Sequence, residues 1–439
     1  MAENSFFLNI LNLIISIGIL IEAYKKNNII LFFYIFVFQV LVIGQAINIS
    51  SNLQNSNSVM YYNNLITDIG HLYASYILLI MLLIIWILVH LFSTNKNSIY
   101  LIKEKYILNT NNKNFLLGYY LIYVCLFIIG FIMLINTIGG IGVIFENSRP
   151  GNVAHGITLC LLLITFGLYP LFFKFICGIK KNILDVCLFI ATFFILLTFS
   201  RMLACIHLIM FYMVYFYIKR CKINKQIPKL FMIFFVLFSI MVLYGAYRHS
   251  LSFDVNSLED FLDFDSGNSL LSVDLFYRIG IEGMTGFSGA ISEMISSGEF
   301  FNMDFGVSTF LNTIISLFPS GIRNYFIDEK IVIDKLYWYS GHSVVPGALE
   351  NIVVHFSIFG VIIYPILFSS ITLYFDYLAK KSNNLMRISL NMIIVSFGIM
   401  LIRGTLTFML FYIIFECIIF LISKKIFKLF YIKRMVDKK

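Results

Sequence analysis

An arginine's planar fork binds a phosphate through two parallel hydrogen bonds, and a histidine exchanges a proton near neutral pH. Arg201, Arg248, Arg278 and Arg403, with His342 and Glu350, supply both chemistries. Four of these six fall within or just beyond one long polar stretch, 247–342, which opens on Tyr247-Arg248-His249-Ser250 and closes on Gly341-His342-Ser343. Fixed guanidinium groups can stabilise charge developing on a phosphate leaving group without a metal. A histidine beside them can take the proton of an attacking hydroxyl. His342 stands in a turn of small residues that leave access to its ring. Glu350, four residues past Pro346, is expected near the positive start of a helix, where it orients the histidine, replaces it as base, or simply complements the helix dipole. Asp263-Phe264-Asp265 has the form by which metal-dependent sugar transferases hold a nucleotide diphosphate. It lies in an acidic run that reads more simply as solvated surface, so no metal or other cofactor is expected.

The elements that must position these groups are apolar spans. Of 439 residues, 60% are hydrophobic and 13% charged, and runs longer than about 18 apolar residues separate membrane helices from buried core helices. Eleven runs are expected to cross, at approximately 5–24, 28–49, 65–92, 115–136, 155–175, 183–199, 202–218, 229–246, 352–375, 388–402 and 406–422. The fold class is therefore an all-α polytopic membrane bundle. Its parts are spans over 1–246, a large outer loop over 247–342, and further spans with a basic tail over 343–439. The first run lacks a basic flank and a small-residue cleavage site, and so reads as a retained span. The seven cysteines all lie outside the long polar stretch, so neither a disulfide framework nor a metal site is expected. Five ionisable residues, His71, His90, His207, His355 and Glu416, fall in or near spans, where a satisfied packing role is expected of each.

A net charge of +9 would point a soluble chain toward nucleic acid; here it sets topology instead. If every run is a full crossing, 24 of the 32 basic residues fall on one side, which the positive-inside rule makes cytoplasmic, with the N-terminus outside and the C-terminus inside. That set holds 21 lysines and three arginines, whereas the eight outer ones, Arg149, Arg201, Arg248, Arg278, Arg323, Lys330, Lys335 and Arg403, include six arginines. Lysine suffices as a topological charge; the guanidinium fork is the better binder of phosphate. The outer face is therefore expected to meet an anionic phosphate ligand. Arg201 sits in a very short hairpin, Leu197-Thr198-Phe199-Ser200-Arg201-Met202, and Arg403-Gly404-Thr405 echoes it. A snorkelling arginine is the plain alternative at such a place.

The Ser200-Arg201 hairpin, Arg278 early in the large loop and His342 just before the next span together resemble the O-antigen polymerase and ligase superfamily. The closing stretch, His342-Ser343-x-x-Pro346-x-x-x-Glu350 followed by Phe356 and Gly360, is similar to the polymerase branch in particular. The likeness covers about residues 195–405. It implies an all-helical bundle of the GT-C-like kind and a glycosyltransferase joining oligosaccharide repeat units carried on undecaprenyl diphosphate into O-antigen or capsule. The reaction would take place at the outer face of a bacterial cytoplasmic membrane, with a chain-length regulator as partner and no nucleic acid. Arg201 and Arg278 would take the diphosphate, with Arg248 and Arg403 as second choices. His342 would act as base, with Glu350 beside it. Ser343, where the ligase branch has asparagine, departs from that branch. A ligase with the same donor, or a flippase for lipid-linked oligosaccharide, is the alternative; the 96-residue outer stretch and the absence of an inverted repeat weigh against transport.

Overall fold

The computed structural model describes residues 2–54, 67–92, 111–140, 154–176, 180–229, 356–382, 385–402 and 406–436, with scattered positions between 232 and 353. These residues are nearly all helical, with no strand among them. Among the described residues, six helices are long and apolar enough to cross a membrane, and three shorter apolar ones run over Ile183–Phe199, Met202–Ile218 and Leu385–Leu401. The eighth expected run, 229–246, lies almost wholly outside the described residues.

In chain order the helices are α1 (Ala2–Lys25), α2 (Ile29–Phe38), α3 (Gly44–Gln54), α4 (Asp68–Phe92), α5 (Asn111–Ile138), α6 (Ala154–Thr165), α7 (Tyr169–Ile176), α8 (Ile183–Phe199), α9 (Arg201–Ile218), α10 (Gly360–Ser369), α11 (Phe375–Lys381), α12 (Leu385–Gly398) and α13 (Leu406–Val436). Their ends follow from local chemistry. The Asn28 side chain accepts the Leu31 N–H at 2.9 Å and starts α2. Asp185 accepts the Asn182 N–H at 2.8 Å and closes a capping box at the start of α8. The same carboxylate, fully buried, receives Lys174 at 2.8 Å. Two helices carry a π-helical turn, Gln39–Ile43 between α2 and α3 and Ser370–Tyr374 between α10 and α11. A π turn interrupts the regular carbonyl ladder, and beside the second one Asn28 donates to the Thr372 carbonyl at 3.0 Å.

The chain divides into two compact units. The first takes Met1–Lys96, Ser272–Tyr377 and Phe397–Phe411. There α1 packs on α2, α3 and α4, and α10 packs on α4. Its core is aromatic: Tyr34 and Phe38 meet the ring of Phe368 edge-on at 5.5 and 6.1 Å. The Tyr364 hydroxyl donates to the Leu401 carbonyl at 3.0 Å.

The second unit takes Asn97–Leu271, Leu378–Ser396 and Tyr412–Lys439. Here α5 lies along α6 and α7, and α8 along α9. A Cβ on Gly130 would stand 2.7 Å from the Leu163 Cβ and 3.0 Å from the Cys160 carbonyl, so α5 and α6 touch backbone to backbone there. On α8, Ile183, Leu184, Ile190 and Phe194 remain exposed, an apolar face suited to lipid.

Candidate functional site

Of the six residues singled out for chemistry, Arg201 is placed by its backbone; Arg248, Arg278, His342, Glu350 and Arg403 lie outside the described residues. Arg201 is the first residue of α9, and Ser200 alone separates it from α8. Ser200, at φ −151° and ψ 82°, ends one helix and begins the next. Its N–H donates to the Leu196 carbonyl at 2.7 Å, and its own carbonyl accepts the Leu203 N–H at 3.0 Å. The near-absence of a connector read from the sequence is thus a one-residue hinge. A cation in the first turn opposes the helix dipole, an arrangement worth roughly 0.3–1 kcal/mol in the unfavourable sense.

The second unit holds a polar cluster with almost no solvent exposure, made of Thr165, Tyr169, His207 and Glu416. His207 Nε2 lies 3.1 Å from Glu416 Oε1. Thr165 Oγ1 lies 2.9 Å from the same oxygen and 2.6 Å from the Leu162 carbonyl, one hydroxyl proton serving both, and the Tyr169 hydroxyl donates to Oε2 at 3.1 Å. His207 Nδ1 is 2.8 Å from the Leu203 carbonyl. A carbonyl only accepts, so Nδ1 carries a proton, and one further proton lies between Nε2 and the carboxylate. Imidazolium with carboxylate and imidazole with carboxylic acid have the same net charge of zero. Tyr169 and Phe211 flank the pair edge-on to the imidazole, with centroids at 6.2 and 6.5 Å.

The first unit has its own polar seam. Ser5, Asn9, Asn12 and Ser16 of α1 are all buried. Asn9 Nδ2 donates to the Ala46 carbonyl at 3.1 Å and to Ser50 Oγ at 2.9 Å. His71 Nε2 faces Ser50 Oγ at 2.9 Å and the Ala46 carbonyl at 3.2 Å, and so carries the proton. Nδ1 then accepts from the Ser288 hydroxyl at 2.9 Å. A serine donating to a histidine is the first half of an activated nucleophile. Here both are fully buried and the far ring nitrogen meets a hydroxyl and a carbonyl, not a carboxylate. The contact therefore holds one segment to another: with Gln45 accepting the Met284 N–H at 2.7 Å and Ser292 against Thr67 at 3.2 Å, it seats the described residues between 284 and 292 on α3 and α4. Met284, Phe287, Ile291 and Met294, spaced by three, four and three residues as on one helix face, are all buried in this seat.

The packing roles expected of His71, His207 and Glu416 are seen, each with named partners. His90 is exposed beside Glu22 at 3.3 Å, and His355 lies outside the described residues. Sequence reasoning missed the hydroxyl partners Thr165, Tyr169, Ser50 and Ser288. Among the described residues no group of three or more His, Cys, Asp or Glu side chains could hold a metal. No protein-family model, no curated protein and no solved structure matches the chain.

Proposed function

We propose that this protein is a glycosyltransferase of the membrane, a polymerase that joins oligosaccharide repeat units carried on undecaprenyl diphosphate into a surface polysaccharide, O-antigen or capsule. The observation that carries the reading is the unequal use of cations: six arginines among eight basic residues assigned outside, against three among 24 assigned inside. The start of α9 supports it, because Arg201 is the first residue of a helix, the end at which backbone N–H groups favour an anion. Arg201 and Arg278 bind the diphosphate, with Arg248 and Arg403 as further candidates. His342 accepts the proton of the attacking hydroxyl, with Glu350 orienting it or taking its place. The hydroxyl oxygen bonds to the anomeric carbon as the bond to the diphosphate oxygen breaks. The lipid diphosphate departs with that electron pair, and the anomeric centre inverts. The site faces the outer side of a bacterial cytoplasmic membrane, in a bundle of about eleven spans.

Purified protein incubated with synthetic lipid-diphosphate repeat units tests this directly. A polymerase makes a ladder from that substrate alone, a ligase transfers only to an added acceptor, and a flippase makes no bond. Arg201→Ala is expected to lower the rate about 100- to 1,000-fold, the usual effect of removing one electrostatic stabiliser. His342→Ala is expected to do the same by removing the base. Normal ladders from either variant, at normal protein levels, would remove that residue from the mechanism.

A further inference from the structure

A chain of hydrogen bonds leads from the hinge at Ser200 into the buried cluster of the second unit. The Ser200 carbonyl accepts the Leu203 N–H at 3.0 Å, the Leu203 carbonyl accepts His207 Nδ1–H at 2.8 Å, and His207 Nε2 shares a proton with Glu416 at 3.1 Å. Glu416 is held in turn by Tyr169 of α7 and Thr165 of α6. Arg201, the first residue of α9, lies six residues before His207, about 9 Å along the helix axis. Three helices thus grip α9 through one side chain, less than two turns below the residue that begins it.

We propose that the His207–Glu416 pair is a positioning device for Arg201. One proton held between the two groups fixes how far α9 extends past its neighbours, and so where the guanidinium at its start meets a diphosphate. This rests on the diphosphate reading of Arg201 given above. Four fully or almost fully buried polar groups with no second task in that mechanism make a costly way to pack a span, because apolar side chains fill the same space without hydrogen-bond constraints. What they supply beyond packing is a fixed axial register, since sliding α9 along its axis would separate His207 from Glu416.

The test measures binding of undecaprenyl diphosphate to the full-length protein in nanodiscs. Arg201→Ala is expected to weaken binding at least tenfold. Glu416→Gln keeps the shape of the side chain but replaces one carboxylate oxygen by an amide nitrogen that donates, so that it removes the carboxylate that shares the proton and leaves one oxygen where Thr165 and Tyr169 had two; it is expected to weaken binding about tenfold. Combined with Arg201→Ala, it is expected to add less than twofold, because it acts through that residue. Tyr169→Phe, which deletes one hydrogen bond to Glu416, serves if Glu416→Gln does not fold; about a threefold loss is expected, again absent in the Arg201→Ala background. Unchanged binding in the folded variants, or losses that add to that of Arg201→Ala, would overturn the positioning role and leave the diphosphate reading standing. Full binding by Arg201→Ala would overturn both.

Discussion

At the scale of single residues, Gly70 has the least room for a side chain among the described glycines. A Cβ there would lie 2.6 Å from the Ser292 Cα, backbone that cannot swing aside. Gly70→Ala should therefore destabilise by about 1–3 kcal/mol, the cost of overpacking, read as a lower melting temperature in detergent. His71→Ala removes the one acceptor shown for the Ser288 hydroxyl. A buried group so stranded costs about 1–3 kcal/mol, and protection from hydrogen exchange around residues 286–292 should fall more than in α1. Part of this seam was readable beforehand. Ser5, Asn9, Asn12 and Ser16 recur at steps of four, three and four, the spacing of one helix face, inside a run otherwise apolar. The partners on other helices were not, because nothing in a single sequence says which hydroxyl meets which ring.

At the scale of elements, Asn28 joins two tasks: its carbonyl oxygen caps α2, and its amide nitrogen answers the Thr372 carbonyl beside a π turn. Asn28→Asp keeps the cap and loses the donor, whereas Asn28→Ala loses both. Loss of a cap costs about 0.5–2 kcal/mol, so the melting temperature should fall in the order asparagine, aspartate, alanine; an equal fall for both variants would mean that the cap contributes nothing. The apolar runs located most helices to within a few residues, because hydropathy and charged ends mark where a span stops. They did not announce the two π turns. Gln39–Ile43 and Ser370–Tyr374 have the composition of any turn in their helices, and the extra residue in each turn is a matter of backbone geometry.

For the whole molecule, the charge pattern makes a topological claim. Green fluorescent protein fused after Lys439 should fluoresce and alkaline phosphatase there should be inactive, with the reverse for fusions within 250–340. An inactive phosphatase in that loop would place Arg278 and His342 in the cytoplasm and end the proposed chemistry. The sequence named residue types suited to a lipid diphosphate, and arginine against lysine is a signal that composition carries plainly. It had no means of showing that α9 is held by Glu416, 209 positions away in the chain. That distance is closed only by folding.

The hairpin of α8 and α9 also bears on the surrounding lipid. With 17 and 18 residues, each helix is only about 26 Å long, against a hydrocarbon thickness of about 30 Å. A bilayer around so short a pair would thin to match it, drawing headgroups inward beside Ser200. On the function proposed above, a substrate carried on a long isoprenoid tail would then find its phosphates lowered toward the start of α9, without having to rise out of the leaflet that carries it.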